Sequence, residues 1–404
     1  MKHQISDVIL TEIKGLWGDE PMAGDSITPV IKTNNMTYEG YINYSDLTMR
    51  HIEKNKLEKG YLLKGDLLIE KSGGTKYHSV GYINFFDGEN DKYVCNNFVL
   101  ALRPNATIIR PKYLFHQLKY KYESGKFADC YNKTTGIQNL QVKTYLSKGV
   151  LIPSFGVQDR VIKTLDDITT NIHVKQNQLN ELDSLVKSRF IEMFGDPMDE
   201  KKWNSKFTEV VIFNPKKSEV KKDIEIEASF VPMEAIGTDG SFSIKKSGKI
   251  KDFYKGYTYF KDGDVIFAKI TPCFENGKIA IANHCTNKIG FGTTEFHVAR
   301  PISGKTNAEW VMNLLRNDSL HTYASSKMTG SAGQKRIQTP FFEKLGVYLP
   351  PLELQNRFAD FVHLVDKSRF VVHSRYFLWL NFTFVSSTIA YSKVVSILEC
   401  PKRC

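Results

Sequence analysis

The spacing of apolar positions changes along this chain, and the change marks its main structural division. Up to about residue 150 they fall in short runs such as Tyr61-Leu62-Leu63, Leu67-Leu68-Ile69 and Val80-Gly81-Tyr82-Ile83, separated by turn-forming residues. After Pro153 they recur about every 3.5 residues, as in a helix that buries one stripe. Short runs predict β-strands, so we expect the chain to pass from a strand-rich part into one long helix.

The long helix is predicted to begin near Val157 and to end before Gly195-Asp196-Pro197, because glycine followed by proline stops a helix. A single helix of roughly 35–40 residues needs a partner for its apolar stripe. A helix within a domain bundle and a coiled-coil spacer would both provide one, and the length favours the coiled coil. The stripe residues expected at the partner interface are Leu165, Ile168, Ile172, Leu179, Leu182, Val186 and Phe190.

The chain also contains an internal repeat with a period close to 200 residues. The motif Pro-x4-Gln-x-Arg that begins at Pro153 recurs at Pro350, 197 positions later (153 to 350). Such ordered matches indicate a tandem duplication of one domain. The other matched pairs, at offsets of 197 or 198 (103 to 300 and 65 to 263), are Gly65-Asp66 with Gly263-Asp264, Phe98 with Phe296, Arg103-Pro104 with Arg300-Pro301, Tyr113-Leu114 with Trp310-Val311, and Gly149-Val150 with Gly346-Val347.

These patterns predict an α+β protein built from two tandem domains, each a strongly bent β-sheet with short helices near 111–123 and 308–325. A long coiled-coil helix is expected to separate the two domains, and a partial second helix is expected to follow them. The predicted boundaries are a first domain at 1–153, a central helical region at 154–195, a second domain at 196–349, the start of a distal helical region at 350–370, and a divergent tail at 371–404.

The charge of the chain is basic. Its 404 residues include 55 Lys+Arg against 44 Asp+Glu, which gives a formal net charge of +11. This surplus favours a polyanionic partner, either nucleic acid or an anionic membrane surface, although a basic surface without a partner is also common. Six cysteines form no CxxC pair, and the start of the chain has no apolar leader. We therefore expect a reduced, cytoplasmic protein without a zinc ribbon or a disulfide framework.

Motifs for catalysis are missing. The sequence contains no Walker-type phosphate loop and no HExxH pair. We therefore expect no catalytic residue, no metal site and no cofactor on this chain, and interpret it as a binding protein. One alternative stays open, since Asp7 with Glu12-Ile13-Lys14 loosely fits the acidic signature of a self-contained metal-dependent nuclease.

Two recurring loops carry groups suited to a polyanion. The first follows the Gly-Asp strand and reads Lys71-Ser72-Gly73-Gly74 in the first repeat and Lys269-Ile270-Thr271 in the second. Lysine supplies positive charge, hydroxyl groups donate hydrogen bonds, and a glycine pair lets the backbone come close to a phosphate. An ordinary β-turn would contain the same residues, so both interpretations are kept.

The second loop contains Thr135, Gly136, Gln138 and Asn139, and its counterpart contains Thr329, Gly330, Gln334, Lys335 and Arg336. Glutamine and asparagine can make two hydrogen bonds to adenine, and arginine or lysine can do so to guanine. A shared Thr-Gly frame with different polar residues suits two domains that read two different short sequences, and a plain polar connection is the alternative. The neighbouring residues interpreted as phosphate contacts are Lys119, Tyr120, Lys121, Tyr122, Lys126 and Lys327.

With these segments, residues 1 to about 370 resemble the specificity (S) subunits of type I restriction–modification systems. The stretch from Gln158-Asp159-Arg160 to Gly195-Asp196-Pro197 is very similar to the central helical region of that family. The segments that resemble its target-recognition domains are Lys64-Gly65-Asp66, Lys71–Gly74, Thr135–Leu140 and Leu349–Gln355.

The resemblance implies a sequence-specific DNA-binding subunit that is not an enzyme by itself. Two target-recognition domains would each read half of a bipartite DNA sequence, and two helical regions would pair as an antiparallel coiled coil that sets the gap. The implied partners are double-stranded DNA, two methyltransferase (modification) subunits and restriction/translocase subunits, with no membrane expected. The methyl donor, ATP and Mg²⁺ would belong to those partner subunits.

The end of the sequence departs from the family pattern. Residues 371–404 show no heptad and contain a single acid, Glu399, while residues 376–392 carry no charge. A membrane anchor needs ~20 mainly apolar residues, and this stretch is interrupted by Asn, Ser and Thr. A frameshifted or recombined C-terminus fits better and would shorten the second coiled-coil strand. An assembly-defective or regulatory subunit is therefore a further alternative.

Overall fold

The structure is a computed structural model that describes residues 3–75, 78–134, 137–220, 225–331 and 333–388, with residues 133, 134 and 373–388 described as backbone. The chain divides into two compact units. Unit 2 is Lys175–Ser374, and unit 1 comprises the described residues up to Val174 together with residues 375–388. Each unit contains one copy of the repeat.

Unit 1 is made of short strands and helices followed by the first half of a long helix. Its strands are β1 (His3–Gln4), β2 (Ile9–Lys14), β3 (Thr28–Ile31), β4 (Thr48–Arg50), β5 (Leu67–Glu70), β6 (Ser72–Gly73), β7 (Ile83–Phe85), β8 (Val94–Cys95), β9 (Val99–Pro104), β10 (Tyr131–Thr134), β11 (Ile137–Leu140) and β12 (Gly149–Val150). Its helices are α1 (Lys54–Gly60), α2 (Pro111–Glu123), α3 (Val142–Leu146) and α4 (Phe155–Phe194), with 3₁₀ turns at Ile5–Val8 and Thr33–Asn35.

The main sheet of unit 1 is antiparallel, with the strand order β2-β9-β5-β7. A second sheet, β4-β3-β8, contains a parallel pair, and β1 pairs with β12. Successive residues of β5 enter different cores: Leu67 and Ile69 pack with α2, while Leu68 packs on the opposite side with Ile31 and Phe86. Because side chains alternate along a strand and both faces are covered, β5 is apolar and buried without interruption.

Unit 2 repeats this arrangement and adds a helix pair. Its strands are β13 (Ser205–Lys206), β14 (Val211–Phe213), β15 (Glu227–Val231), β16 (Lys246–Lys249), β17 (Thr258–Lys261), β18 (Val265–Ala268), β19 (Ile279–Ile281), β20 (Ile289–Gly292), β21 (Phe296–Pro301) and β22 (Gly346–Val347). Its helices are α5 (Phe207–Val210), α6 (Ile250–Tyr254), α7 (Ala308–Leu315), α8 (Asp318–Ser326), α9 (Thr339–Lys344) and α10 (Leu352–Thr388), with 3₁₀ turns at Glu200–Lys202, Lys217–Glu219, Met233–Ala235 and Thr286–Lys288.

The sheets of the two units correspond strand by strand. The order β14-β21-β18-β19 in unit 2 matches β2-β9-β5-β7, and β16-β15-β20 matches β4-β3-β8 with its parallel pair. Strand β17 extends the second sheet in unit 2. The pair β13-β22 matches β1-β12. The structure therefore confirms that the sequence repeat is a repeated fold.

A buried ion pair explains two of the repeated motifs. Asp66 is 1% exposed and accepts two hydrogen bonds from the guanidinium of Arg103, at 2.9 and 2.8 Å. Asp264 and Arg300 form the same pair at 2.7 and 2.8 Å. Each aspartate also accepts the backbone amide of the residue three positions earlier, at 2.8 Å in both repeats. The aspartate joins a tight turn to the neighbouring strand, so its charge is fully compensated inside the protein.

Within unit 2 the second half of α4 packs along the first half of α10. Phe358 of α10 lies 5.5 and 5.4 Å from the rings of Phe190 and Phe194. Further along α10, Arg369 pairs with Asp183, which lies earlier in α4, at 2.5 Å. Contacts that move forward along one helix move backward along the other, so the two helices are antiparallel in this unit.

A buried glutamine attaches the start of each long helix to its domain. The amide oxygen of Gln158 accepts the backbone amide of Arg110 at 2.7 Å, and its nitrogen donates to the Pro153 carbonyl at 2.9 Å. Gln355 does the same with Asn307 and Pro350, at 3.1 and 2.9 Å. The repeated Pro-x4-Gln motif is therefore the attachment point between helix and domain.

Three expectations about local structure need correction. Tyr61-Leu62-Leu63 is not a strand, because α1 ends at Gly60 and these residues form the connection to β5. Of the run that begins at Val80, only Ile83 lies in a strand, since β7 begins there. Helix α10 continues to Thr388 and is therefore longer than the partial second helix that we expected. Helix α4 runs from Phe155 to Phe194, close to the predicted bounds.

We expect Gln355→Leu to lower the free energy of unfolding by about 2–3 kcal/mol, since the Asn307 amide would lose its partner in a buried place. Urea unfolding followed by circular dichroism measures the change. Gln176→Leu, on the exposed surface of α4, is the matched control and should stay within about 0.5 kcal/mol. An equal effect of the two substitutions would contradict the attachment role of Gln355.

Candidate functional site

The two loops predicted to bind a polyanion meet in one small sheet of unit 1. Strand β6, which contains Ser72 and Gly73, pairs with β11, and β11 pairs with β10. Asn139 lies opposite Ser72, and their side chains are hydrogen-bonded. Just before β6, the carbonyl of Lys71 accepts the amide of Leu140 at 2.8 Å. We call this three-stranded sheet the unit 1 ribbon.

Alternation along β11 decides which side chains of the ribbon face outwards. Ile137 and Asn139 are exposed, whereas Gln138 and Leu140 are buried. The amide oxygen of Gln138 accepts the backbone amide of Val80 at 3.1 Å. Gln138 therefore holds the segment before β7 in this structure, and its contact with a base stays a prediction.

The glycine pair of the first loop has a structural reason. Gly73 and Gly74 have φ angles of 134° and 70°, which side chains rarely adopt. A Cβ on Gly73 would lie 2.6 Å from Oε1 of Glu70, and one on Gly74 would lie 3.0 Å from the Gln138 side chain. The turn thus requires glycine at both positions.

Unit 2 brings its two loops together in the same way. The carbonyl of Lys269 accepts the amide of Ile337 at 2.9 Å, as that of Lys71 accepts Leu140. Isolated β-bridges join Arg336 to Ile270 on one side and to Thr329 on the other. The amide and the hydroxyl of Thr271 both donate to the carbonyl of Lys335, at 2.9 and 3.1 Å. We call these three segments the unit 2 ribbon.

The unit 2 ribbon carries an arginine that is paired with an acid. Arg336 is held by two hydrogen bonds to the carboxylate of Glu295, both at 3.0 Å. These bonds hold the pKa of Glu295 below its usual range. Thr329, Gly330, Gln334 and Lys335 are exposed beside it. The sequence did not point to Glu295. Its role becomes visible only in the structure, where its carboxylate binds the guanidinium of Arg336.

A buried histidine supports the end of this ribbon. Nε2 of His297 donates to the carbonyl of Ile337 at 3.0 Å, and Nδ1 accepts from the amide of Asn214 at 3.2 Å. Burial lowers the pKa of His297 to about 4, so the imidazole is neutral at physiological pH. Its role is structural, because it is enclosed by Phe213 and Phe342.

The ribbons also correct the alignment of the two repeats. Asn132 lies opposite Asn139 and Thr329 opposite Arg336, so Thr329 corresponds to Asn132 rather than to Thr135. The amide of Lys71 donates to the carbonyl of Phe98 and that of Lys269 to Glu295, so Phe98 corresponds to Glu295 rather than to Phe296. Thr135 and Gly136 themselves lie outside the described residues.

Some side chains interpreted as phosphate contacts are used within the fold. Nζ of Lys119 donates to the carbonyls of residues 38 and 39 at 3.2 and 2.5 Å. The hydroxyl of Tyr122 donates to the carbonyl of Ser79 at 2.6 Å. Lys126 lies over the ring of Tyr120 at 4.7 Å. Lys119 and Tyr122 therefore stabilise the domain, and their contact with a phosphate stays a prediction.

The predicted helix stripe is less exposed than the positions beside it. Ile168, Val186 and Phe190 are buried, while Leu165, Ile172, Leu179 and Leu182 are half-buried. In unit 2, Val186 and Phe190 belong to the domain core together with residues of α10, and Leu182 packs against that core. In unit 1, Leu165 packs against the core that includes Val161.

The described residues contain neither a metal cluster nor a membrane-spanning helix. No group of three or more His, Cys, Asp or Glu side chains is placed to hold a metal ion among them. None of the helices in the described ranges has an apolar segment long enough to cross a membrane.

A family model for the type I restriction modification DNA specificity domain matches residues 19–184 and 200–372. The two matches fall on the two repeats and together cover most of the chain. This chain belongs to the type I restriction–modification DNA specificity family. The predicted architecture, α+β with two tandem domains and a long helix between them, is confirmed.

Two relatives within the specificity family are proteins of Escherichia coli. The type I restriction enzyme EcoAI specificity subunit is 42% identical over 202 residues, which is 48% of this chain and 33% of that protein. The type I restriction enzyme EcoEI specificity subunit is 45% identical over 168 residues, which is 40% of this chain and 27% of that protein. The chain thus matches about a third or less of the length of these relatives.

A solved structure from a study of complex assembly and conformational transition of the type I R-M system has a similar fold. Its TM-score to this chain is 0.51 at 14% sequence identity, over 98% of this chain and 96% of that one. At this level of identity the likeness shows the fold alone, and it agrees with the family match.

Gln138→Leu should reduce the stability of unit 1 by about 1–2 kcal/mol, because the Val80 amide loses its acceptor in a buried position. Hydrogen exchange followed by mass spectrometry should show faster exchange at residues 78–83. Asn139→Leu, the outward neighbour on the same strand, should leave this exchange unchanged. Equal protection in wild type and Gln138→Leu would show that the glutamine does not hold this segment.

Proposed function

We propose that this specificity-family chain is a sequence-specific DNA-binding subunit that does not itself catalyse a reaction. Each ribbon would contact one half of a bipartite target in double-stranded DNA. The observation that carries the proposal is that both repeats build the same ribbon and present different side chains on it. A shared frame with different exposed groups suits two half-sites of different sequence.

The side chains of the two ribbons suit the two kinds of contact that DNA requires. Lys71 and Lys269 occupy the same position in their ribbons, next to the residues whose carbonyls and amides join the segments. We assign the two lysines to phosphates, because their positive charge fixes position without reading sequence. The hydroxyls of Ser72 and Thr271 donate within the ribbons instead. We assign Asn139 in unit 1 and Gln334, Lys335 and Arg336 in unit 2 to base edges, since amide and basic side chains can hydrogen-bond to them.

Arg336 fits base reading for a geometric reason. The guanidinium is planar and carries five donors, of which two are held by Glu295 and one by the carbonyl of Gln334. A guanidinium that is fixed in this way loses little conformational freedom when its remaining donors meet the acceptors of a guanine. We therefore treat Glu295 as a positioning residue for Arg336.

The helix pair is the surface that we assign to protein partners. Methyltransferase (modification) subunits, two in number, and restriction/translocase subunits would assemble on this chain and supply the methyl donor, ATP and Mg²⁺. The support is the family membership together with a long α4 whose exposed side carries apolar residues such as Leu185 and Ile191, 48% and 41% exposed. An assembly that acts on DNA would work in the cytoplasm.

Selection from a random double-stranded DNA library tests the central proposal, using the full chain together with its modification subunits. The enriched molecules should share two short fixed blocks separated by a gap of constant length. Uniform retention of all duplexes would overturn the proposal. Cleavage of DNA by the chain alone with Mg²⁺ would instead favour a nuclease, and failure to co-purify with modification subunits would indicate an assembly-defective chain.

Lys71→Ala should weaken binding to all DNA sequences alike and reduce the slope of log K against log salt by about 1, as expected when one phosphate contact is lost. The affinity is measured for the selected target and for an unrelated duplex at several salt concentrations. Lys163→Ala is the matched control, since Lys163 is 78% exposed on α4 and is paired with Asp167. An unchanged slope for Lys71→Ala would show that this lysine does not contact a phosphate.

A further inference from the structure

One turn of the repeat has the same structure in both units. In unit 1 the amide of Thr37 donates to the carbonyl of Tyr41 at 3.0 Å, and in unit 2 the amide of Gly237 donates to that of Ser241 at 2.9 Å. A β-bridge closes each turn at its base, between residues 36 and 42 and between residues 236 and 242. Ser241 therefore occupies in unit 2 the position that Tyr41 occupies in unit 1.

A basic side chain fixes each of these turns to the neighbouring helix. Arg316, 197 positions after Lys119 (119 to 316), donates to the carbonyls of residues 238 and 239 at 3.1 and 2.8 Å. Lys119 makes the corresponding bonds to residues 38 and 39. The two turns are thus held at equivalent places on their domains, and the difference between them lies in the side chain at the tip.

In unit 1 the tyrosine at the tip spans the space between the turn and α4. Its hydroxyl is 3.4 Å from Nε2 of His173 and is hydrogen-bonded with Thr169, and the rings of Tyr41 and His173 meet edge-on at 5.6 Å. Tyr41 remains 42% exposed, so it covers this space from outside. Burial and the nearby Asp166 raise the pKa of Tyr41.

In unit 2 the corresponding space is a cavity of about 580 Å³. Ser241 lies at its edge, and its short side chain leaves the space open. The helix residues that correspond to Thr169 and His173 are Asp366 and Phe370, 197 positions later (169 to 366, 173 to 370), and both line the cavity.

The residues that line this cavity suit a ligand with an aromatic ring and a hydroxyl group. Phe190, Phe242 and Val362 provide apolar walls on which an aromatic ring can pack. Asp366 provides a carboxylate acceptor, held 3.2 Å from Arg369. The rest of the lining is largely polar or charged, with Asp183, Lys187, Asp239 and Arg316 among its residues. Apolar walls beside polar groups that fix orientation are a usual feature of a binding site.

We propose that this cavity of unit 2 binds the side chain of a tyrosine presented by a partner protein. The ring takes the place that Tyr41 fills in unit 1, and its hydroxyl donates to the carboxylate of Asp366. The site does not depend on DNA recognition, because it is formed by the turn 237–242, α7 and the helix pair rather than by the ribbon. A partner docked here would contact the second domain and its helix together.

Ligand-observed NMR with p-cresol and with N-acetyltyrosinamide tests this site on the full chain. We expect binding of both with a Kd on the order of 1 mM, as is usual for a ligand of this size. N-acetylphenylalaninamide, which lacks the hydroxyl, should bind about 5-fold more weakly because one hydrogen bond is lost. Absence of p-cresol binding at 10-fold above that concentration, or binding of p-cresol without N-acetyltyrosinamide, would overturn the proposal.

Three substitutions locate the binding. Ser241→Tyr should abolish it, since the new side chain fills the cavity as Tyr41 fills the space in unit 1. Ser241→Ala leaves the cavity open and should change the affinity less than 2-fold. Tyr41→Ser should open a second site and about double the bound fraction. Undiminished binding by Ser241→Tyr would place the ligand elsewhere and refute the assignment.

Discussion

The rest of the structure depends on the buried amide of Gln158 and of its counterpart Gln355. Each joins the proline-containing turn before a long helix to the backbone at the start of a domain helix. A glutamine has both a donor and an acceptor at its tip, so one side chain can satisfy two backbone groups at once. Because the bonds lie where water does not compete, the direction in which each helix leaves its domain is fixed by geometry and not by a flexible linker.

A comparison of the two repeats separates residues that support the fold from residues proposed to bind partners. The Asp66–Arg103 and Asp264–Arg300 pairs occupy equivalent strands and are enclosed by the fold. The ribbons, by contrast, share backbone contacts and differ in their exposed side chains. A duplicated domain can keep its core contacts and change the side chains on its surface. This difference between core and surface supports the assignment of the ribbons to DNA and of the helix pair to protein partners.

Much of the fold could be predicted from the sequence because its local patterns were strong. The short apolar runs that form strands, the helix stop at Gly195 and the Pro-x4-Gln motif each have a local physical cause. The register of the ribbon could not be predicted in full, since the Thr-Gly likeness of residues 135 and 329 outweighed the strand pairing that places Thr329 with Asn132. The inward direction of Gln138 was accessible in principle, because Leu140, two residues later, had to share its face.

The sequence by itself determined the duplication, the α+β class and the long helix, because each follows from periodicity along the chain. Only the tertiary structure decided which polar side chains make hydrogen bonds within the fold. Lys119 and Gln138 look like binding residues in the sequence, yet they meet backbone groups that lie 80 and 58 positions away. Such hydrogen-bond partners across the fold, which no local pattern records, show that these side chains also serve the fold.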